Sequence, residues 1–149
     1  MGWLTKLYGT VVGLDTAPLI YFVELNPAYL HLVDPFFEAV ERGDIRVITS
    51  TLTLTEALVH PYRHGNHSLV QQYSRILLNS QNLKTLSVSS QIATEAAQIR
   101  AAHGLKTPDS IQLATSRIGQ ATAFLSNDDR IPQIPGLEFI LLDRLLTLS

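Results

Sequence analysis

The fold is decided at Val11-Val12-Gly13-Leu14-Asp15-Thr16, a short apolar run that ends in a carboxylate. An apolar run without alternating polar residues is typical of a strand that is buried on both faces, as in a parallel sheet. The stretch therefore predicts a first strand, with Asp15 at its carboxyl end.

Strand-like and helix-like segments alternate along the rest of the chain. Short β-branched or apolar runs predict further strands at 45–48, 83–88, 121–125 and 139–142. Helical patterns fill the intervals, and alternation of this kind implies right-handed βαβ crossovers. We therefore predict an α/β fold with three α/β/α layers and a central parallel five-stranded sheet.

Caps and prolines predict where several helices begin and end. Pro35 either kinks its helix or starts a new turn that Asp34 caps. The other boundaries are a start at Asn26-Pro27, a helix capped by Ser50 or Thr51 that runs to Val59 and is stopped by Pro61, and a start at Thr107-Pro108-Asp109 with Thr107 as the cap.

Composition limits the possible classes of protein. The 149 residues suit one domain, 1–149, and no apolar run approaches the roughly 20 residues that span a bilayer. With no cysteine the chain has no disulfide, thiolate nucleophile or cysteine-built metal site, and we expect a cytoplasmic protein without a membrane partner. A net charge of −2 means that a nucleic acid would have to meet local positive charge.

Acidic residues stand where a site is expected, beyond the carboxyl ends of the strands. Asp15 ends the first strand, Asp128 follows the fourth, Asp109 begins a helix and Glu56 lies in a helix among apolar neighbours. Each alone is also explained as a turn, cap or solvated residue. Converging carboxylates repel one another unless a cation neutralises them, and oxygen ligands suit Mg²⁺ or Mn²⁺.

Four segments, at 14–20, 51–56, 107–115 and 124–128, resemble in order the motifs of PIN-domain nucleases. The resemblance covers nearly the whole chain. It implies that Asp15, Glu56, Asp109 and Asp128 are the catalytic and metal-binding acids, although Asp129 leaves the last assignment open. Thr16 and Ser126 stand where supporting residues are expected.

The resemblance further implies an endoribonuclease that uses a metal-activated water, and many relatives are VapC-type toxins of type II toxin–antitoxin pairs. The implied partners are an RNA substrate, an antitoxin protein and a second copy of the chain. An apolar helix face at 19–23 is a plausible dimer interface, but burial in the core explains it equally.

Basic and aromatic residues could supply RNA contacts that the net charge does not. The candidates are Arg63, His64, Arg75, Lys106 and Arg130. Solvation of an ordinary loop explains the first two equally well. Zinc binding by His60, His64 and His67 is disfavoured because no glutamate or cysteine accompanies them in a metalloprotease-like pattern.

Three alternatives compete with a nuclease. A receiver-type phosphotransfer protein needs a lysine after its last strand, where this chain has Asp143-Arg144, and a haloacid-dehalogenase-like phosphatase needs an aspartate where this chain has Ala17. Both therefore fail on chemistry. A catalytically silent PIN-type module that binds RNA or protein remains the serious alternative.

Overall fold

The computed structural model describes residues 2–148 of the chain. Its strands are β1 (Val11–Leu14), β2 (Arg46–Ser50), β3 (Leu83–Leu86), β4 (Ala123–Ser126) and β5 (Glu138–Leu141). Its helices are α1 (Gly2–Thr5), α2 (Thr16–Val23), α3 (Leu30–Arg42), α4 (Thr51–Arg63), α5 (His67–Asn79), α6 (Ser90–His103), α7 (Thr107–Ile118) and α8 (Leu142–Leu146).

The strands form one parallel sheet in the order β3-β2-β1-β4-β5, with β1 at the centre. One face is covered by helices α2 to α5, whose buried side chains include Leu19, Phe36 and Tyr73. The other face is covered by α6 and α7, which bury Ile99 and Leu113. The predicted three-layer α/β/α fold with a five-stranded parallel sheet is confirmed.

Helix α7 packs unusually close to the sheet at two glycines. A Cβ atom added at Gly13 of β1 would stand 1.9 Å from the Ser116 hydroxyl oxygen, and one added at Gly119 would stand 2.2 Å from Ile48. Both distances are far inside van der Waals contact. Gly13 is therefore required so that α7, which carries Asp109, can lie directly on the central strand.

The prediction that Pro61 stops α4 after Val59 is wrong, because α4 continues to Arg63. Pro61 is buried, and the helix ends only two residues later, so its missing N–H disturbs little of the helix. Helix α3 likewise runs unbroken through Pro35, which excludes a new start at Asp34.

Other boundaries differ by one to three residues. Lys106 rather than Thr107 is the N-cap of α7. Helix α3 begins at Leu30, and in the turn before it the side-chain oxygen of Asn26 accepts a hydrogen bond from the backbone N–H of Ala28. The third strand ends at Leu86, while the fourth and fifth are shifted to 123–126 and 138–141. These shifts are of the size expected where helix and strand ends fray.

A single domain over 1–149 stays a prediction, and its two end positions, 1 and 149, lie outside the described residues. Within residues 2–148, no helix has the length and apolar character that crossing a membrane requires.

Replacing Gly13 with alanine is expected to lower the free energy of unfolding by about 1–3 kcal/mol, because the new methyl group overlaps the Ser116 side chain. Urea denaturation measures the effect. Gly2→Ala is the matched control, since no atom lies within 4 Å of an added Cβ there, and a change within about 0.5 kcal/mol is expected. Equal stability of the two variants would contradict the close packing of α7 on β1.

Candidate functional site

The carboxyl edge of the sheet brings acidic side chains together from separate parts of the chain. Asp15 follows β1, and Asp128 follows the adjacent strand β4 by two residues. Asp109 lies in the first turn of α7, and Glu56 lies in the second turn of α4, which begins directly after β2. Because parallel strands end at the same edge, all four elements converge there.

The carboxylate of Asp15 is held by two hydrogen bonds. The Thr16 backbone N–H donates to Oδ1 at 2.9 Å, and the Ser126 hydroxyl donates to Oδ2 at 2.7 Å. The Ser126 oxygen also accepts the backbone N–H of Asp128 at 3.0 Å. Ser126, which is fully buried, therefore links the first acid of the site to the last.

The side chain of Thr16 reaches a second acid. Its hydroxyl donates to Oε1 of Glu56 at 2.5 Å, so Thr16 contacts Asp15 through its backbone and Glu56 through its side chain. The predicted supporting residues Thr16 and Ser126 both touch acids of the predicted site.

The acids act on one another electrostatically. Burial is the largest cause of a raised pKa for Asp15, and repulsion from Glu56 and Asp128 adds to it, while the Ser126 and Thr16 hydrogen bonds lower it. Burial also raises the pKa of Asp109, followed by repulsion from Asp128 and Asp15. These shifts mean that ionising both groups is costly without a nearby cation.

Asp128 is neutralised within the protein by Arg130. The guanidinium donates from Nε to Oδ1 and from Nη2 to Oδ2, both at 2.9 Å. This pairing is the main reason that the pKa of Asp128 lies below its usual value. Asp129 is exposed, and it is Asp128 that repels Asp15 and Asp109, so Asp128 is the acid that faces the others.

A metal ion has suitable donors here, although the side chains do not form a closed cage. Within residues 2–148, no group of three or more histidine, aspartate or glutamate side chains is arranged to hold a metal ion. The oxygen donors, and the burial and repulsion that still leave the pKa of Asp15 and Asp109 raised, nevertheless suit a hard divalent cation. Mg²⁺ commonly binds through one or two carboxylates and keeps several waters.

The basic residues predicted to contact RNA occupy three separate regions. Lys106 and Arg130 lie beside the acids, where both lower the pKa of Asp109. Arg63 and His64 are exposed at the end of α4, about 10 Å along the helix axis from Glu56. Their contribution to RNA binding stays a prediction.

Arg75 lies in a groove that is also lined by Phe22 and Phe37 and by residues at the amino end of β3. This is the opposite edge of the sheet from the acids.

The rings of His60 and His64 pack with centroids 4.1 Å apart, and the His64 ring contacts the His60 carbonyl.

Sequence reasoning missed the uncharged residues that support the acids. Gln112 is fully buried one turn after Asp109, and Thr53 is fully buried one turn before Glu56. A lone glutamine between Ile111 and Leu113 was a usable signal, because buried polar groups require partners.

Asn127 holds the loop that leads to Asp128. Its side-chain amide donates to the Tyr21 hydroxyl at 3.1 Å and accepts the backbone N–H of Asp143 at 2.9 Å. No sequence pattern indicated these contacts, because the partners are 106 and 16 residues away along the chain.

Comparison with known proteins gives a family match and several similar folds. A family model described as PIN domain matches residues 12–137. No curated protein matches the chain.

Three solved structures are similar in fold. A toxin–antitoxin complex from Klebsiella pneumoniae has a TM-score of 0.63 at 19% identity, covering 87% of this chain and 95% of that one. VapBC2 from Rickettsia felis bound to a promoter DNA fragment has a TM-score of 0.65 at 13% identity, covering 88% and 98%. DNA-bound VapBC from Salmonella typhimurium has a TM-score of 0.63 at 17% identity, covering 89% and 98%. At these identities the likeness establishes the fold.

Asp15→Asn is expected to raise the free energy of unfolding of the metal-free protein at pH 7. The folded state raises the pKa of Asp15, so ionising this group costs stability as the pH rises above the unfolded value of 3.8. The gain should shrink as the pH falls below about 4, where the wild-type carboxyl is protonated in both states.

Urea denaturation in EDTA across this pH range measures the gain. The exposed Asp129→Asn serves as a control without such a gain. A destabilised Asp15→Asn protein at pH 7 would show that the charge of Asp15 is compensated within the chain.

Proposed function

Because the chain belongs to the PIN-domain family, we propose that it is an endoribonuclease that hydrolyses RNA phosphodiester bonds with Mg²⁺ or Mn²⁺. Members of this family are nucleases. The observation that carries the proposal is the convergence of Asp15, Asp109 and Asp128 with Glu56 at one sheet edge, where repulsion from neighbouring acids adds to burial in raising the pKa of Asp15 and Asp109.

The four acids would hold the metal directly or through waters. A bound divalent ion lowers the pKa of a coordinated water and stabilises negative charge on a phosphate. The hydrogen bonds from Ser126 and Thr16 keep the Asp15 carboxylate in one orientation, so that it need not reorganise when the ion arrives. No nucleophile from the chain is required.

Arg130 would serve as a counter-ion in the metal-free protein. Its two hydrogen bonds to Asp128 occupy both carboxylate oxygens, so a cation that engages Asp128 competes with this pair. A released guanidinium can bind a phosphate through two parallel hydrogen bonds. We therefore assign Arg130, with Lys106, to the substrate backbone next to the site, and Arg63, His64 and Arg75 to more distant RNA contacts.

The alternative is a PIN-type module that binds RNA or protein without cutting. The presence of all four acids, with Thr16 and Ser126 bonded to them, supports the active enzyme. A catalytically silent module would have no reason to retain the energetic cost of burying Asp15.

Asp15→Asn is expected to reduce Mn²⁺-dependent RNA cleavage by at least about 100-fold, because it removes a charged ligand of the metal. The amide keeps an oxygen to accept the Thr16 N–H, so the local fold is retained. Purified protein is incubated with single-stranded and structured RNAs, with Mn²⁺ or with EDTA, and the products are separated on denaturing gels.

Glu138→Gln is the matched control, since Glu138 is exposed at the amino end of β5, and it should cleave like the wild type. Asp129→Asn should also retain activity. If this variant lost cleavage activity, Asp129 rather than Asp128 would be the last acid of the site. Cleavage that survives in Asp15→Asn comes from a contaminating ribonuclease and contradicts the proposal.

We propose further that the protein acts in the cytoplasm as the homodimeric toxin of a type II toxin–antitoxin pair. The support is that the three similar structures described above are VapBC or other toxin–antitoxin complexes, matched over 95% or more of their chains. Exposed apolar side chains at Val59 and Tyr62 on α4 offer surface for a second copy.

A short neighbouring gene that encodes a basic DNA-binding segment is expected to supply the antitoxin. Light scattering of the purified chain should give about twice its 16.5 kDa mass, and co-expression with the neighbour should give a larger complex that does not cleave RNA. A neighbour that neither co-purifies nor inhibits would contradict the toxin assignment and leave the nuclease activity intact.

A further inference from the structure

A chain of buried hydrogen bonds runs beneath the acids. The Ser50 hydroxyl donates to Oε1 of Gln112 at 2.9 Å, and Nε2 of Gln112 donates to the Thr53 hydroxyl at 2.7 Å. Thr53 contacts the Thr49 hydroxyl at 2.7 Å, and Thr49 donates to the carbonyl oxygen of Leu14 at 2.8 Å. The four side chains are at most 3% exposed, so water does not substitute for these partners.

Counting protons fixes the direction of this chain. Thr49 has one hydroxyl proton, which it gives to Leu14, so Thr53 must donate to Thr49 and accept from Gln112. The donors therefore point in one direction, from Ser50 through Gln112 to the end of β1. Gln112 joins the two halves because its amide supplies an acceptor at one end and a donor at the other.

Three members of this chain lie close in sequence to an acid of the site. The Leu14 carbonyl, which accepts the last hydrogen bond, is part of the peptide group that links Leu14 to Asp15. Thr53 lies three residues before Glu56 on α4, and Gln112 lies three residues after Asp109 on α7, so each shares a helix face with its acid. The hydrogen-bonded chain thus ties together the three elements that carry these acids.

We propose that Gln112 is a positioning residue that sets the separation of Asp15, Glu56 and Asp109, and thereby the affinity of the site for a divalent metal ion. The inference rests on the proposed metal-dependent function. A buried hydrogen bond in a low-dielectric interior is costly to break and tolerates little change in geometry. Loss of the Gln112 amide therefore lets α7 and α4 shift relative to β1.

The test compares Gln112→Met with Tyr73→Phe. Methionine keeps the approximate length and volume of glutamine and removes both of its hydrogen bonds. Tyr73→Phe also removes a hydrogen bond of a buried side chain, the partly buried one to Glu24, but between α5 and the carboxyl end of α2, away from the acids. Both variants are expected to lose stability, and the Tyr73 variant controls for this common effect.

Two readouts apart from catalysis distinguish positioning from general stabilisation. Electron paramagnetic resonance of free Mn²⁺, measured without RNA, should give an affinity about 10–100-fold weaker for Gln112→Met and within about twofold of wild type for Tyr73→Phe. Amide NMR spectra without metal should show shifted Asp15 and Thr16 signals in Gln112→Met and unshifted ones in Tyr73→Phe. Thr53→Val should weaken Mn²⁺ binding similarly and should not add to the effect of Gln112→Met.

Wild-type Mn²⁺ affinity in folded Gln112→Met would overturn the inference, as would an equal loss of affinity in Tyr73→Phe. Wild-type protein that binds Mn²⁺ but cuts no RNA would refute only the nuclease proposal. Wild-type protein that binds no Mn²⁺ would refute the metal-dependent function and the affinity claim, while the amide shifts still decide whether Gln112 positions Asp15.

Discussion

The packing of α7 against the central strand β1, where Ser116 fills the space beside Gly13, is the constraint on which the candidate site depends. Positions 109, 112 and 116 share one face of α7, because residues three, four and seven apart lie nearly one above another on a helix. The face that packs on the sheet therefore also carries Asp109 and Gln112 to the strand edge. A change of spacing at Gly13 would propagate to both.

The acids of the site are arranged at a cost to the stability of the fold. Burial and mutual repulsion raise the pKa of Asp15 and Asp109, and hydrogen bonds from Ser126 and Thr16 offset part of the cost at Asp15. Arg130 pairs directly with Asp128, and its weaker effect on Asp109 does not outweigh the burial and repulsion that raise the pKa of that group. Such a site gains from a cation that the fold itself does not supply, as expected where binding of charge has been favoured over stability.

Uncharged groups beneath the acids give the site its rigidity. Within residues 2–148, no buried side-chain nitrogen or oxygen lacks a hydrogen-bond partner, and this includes every polar side-chain atom in the chain from Ser50 through Gln112 to Leu14. A satisfied buried network favours one arrangement of the elements that it connects, because any shift leaves a polar group without a partner. The charged layer that meets solvent thus rests on a neutral layer that fixes its geometry.

The sequence by itself determined the fold class and which acids lie at the strand ends, because buried parallel strands are continuous apolar runs and the residue after each run is readable. It placed α4 too short, since Pro61 is a stop signal that the tertiary structure tolerates near a helix end. Only the tertiary structure decided that Asp128 faces the other acids, that Arg130 pairs with it, and that Gln112 joins α7 to α4. The contact of Gln112 with Thr53 joins residues that are distant in the chain, so no periodicity or spacing encodes it. The pairing of Arg130 with Asp128 is local, but it depends on side-chain rotamers that the local sequence leaves open.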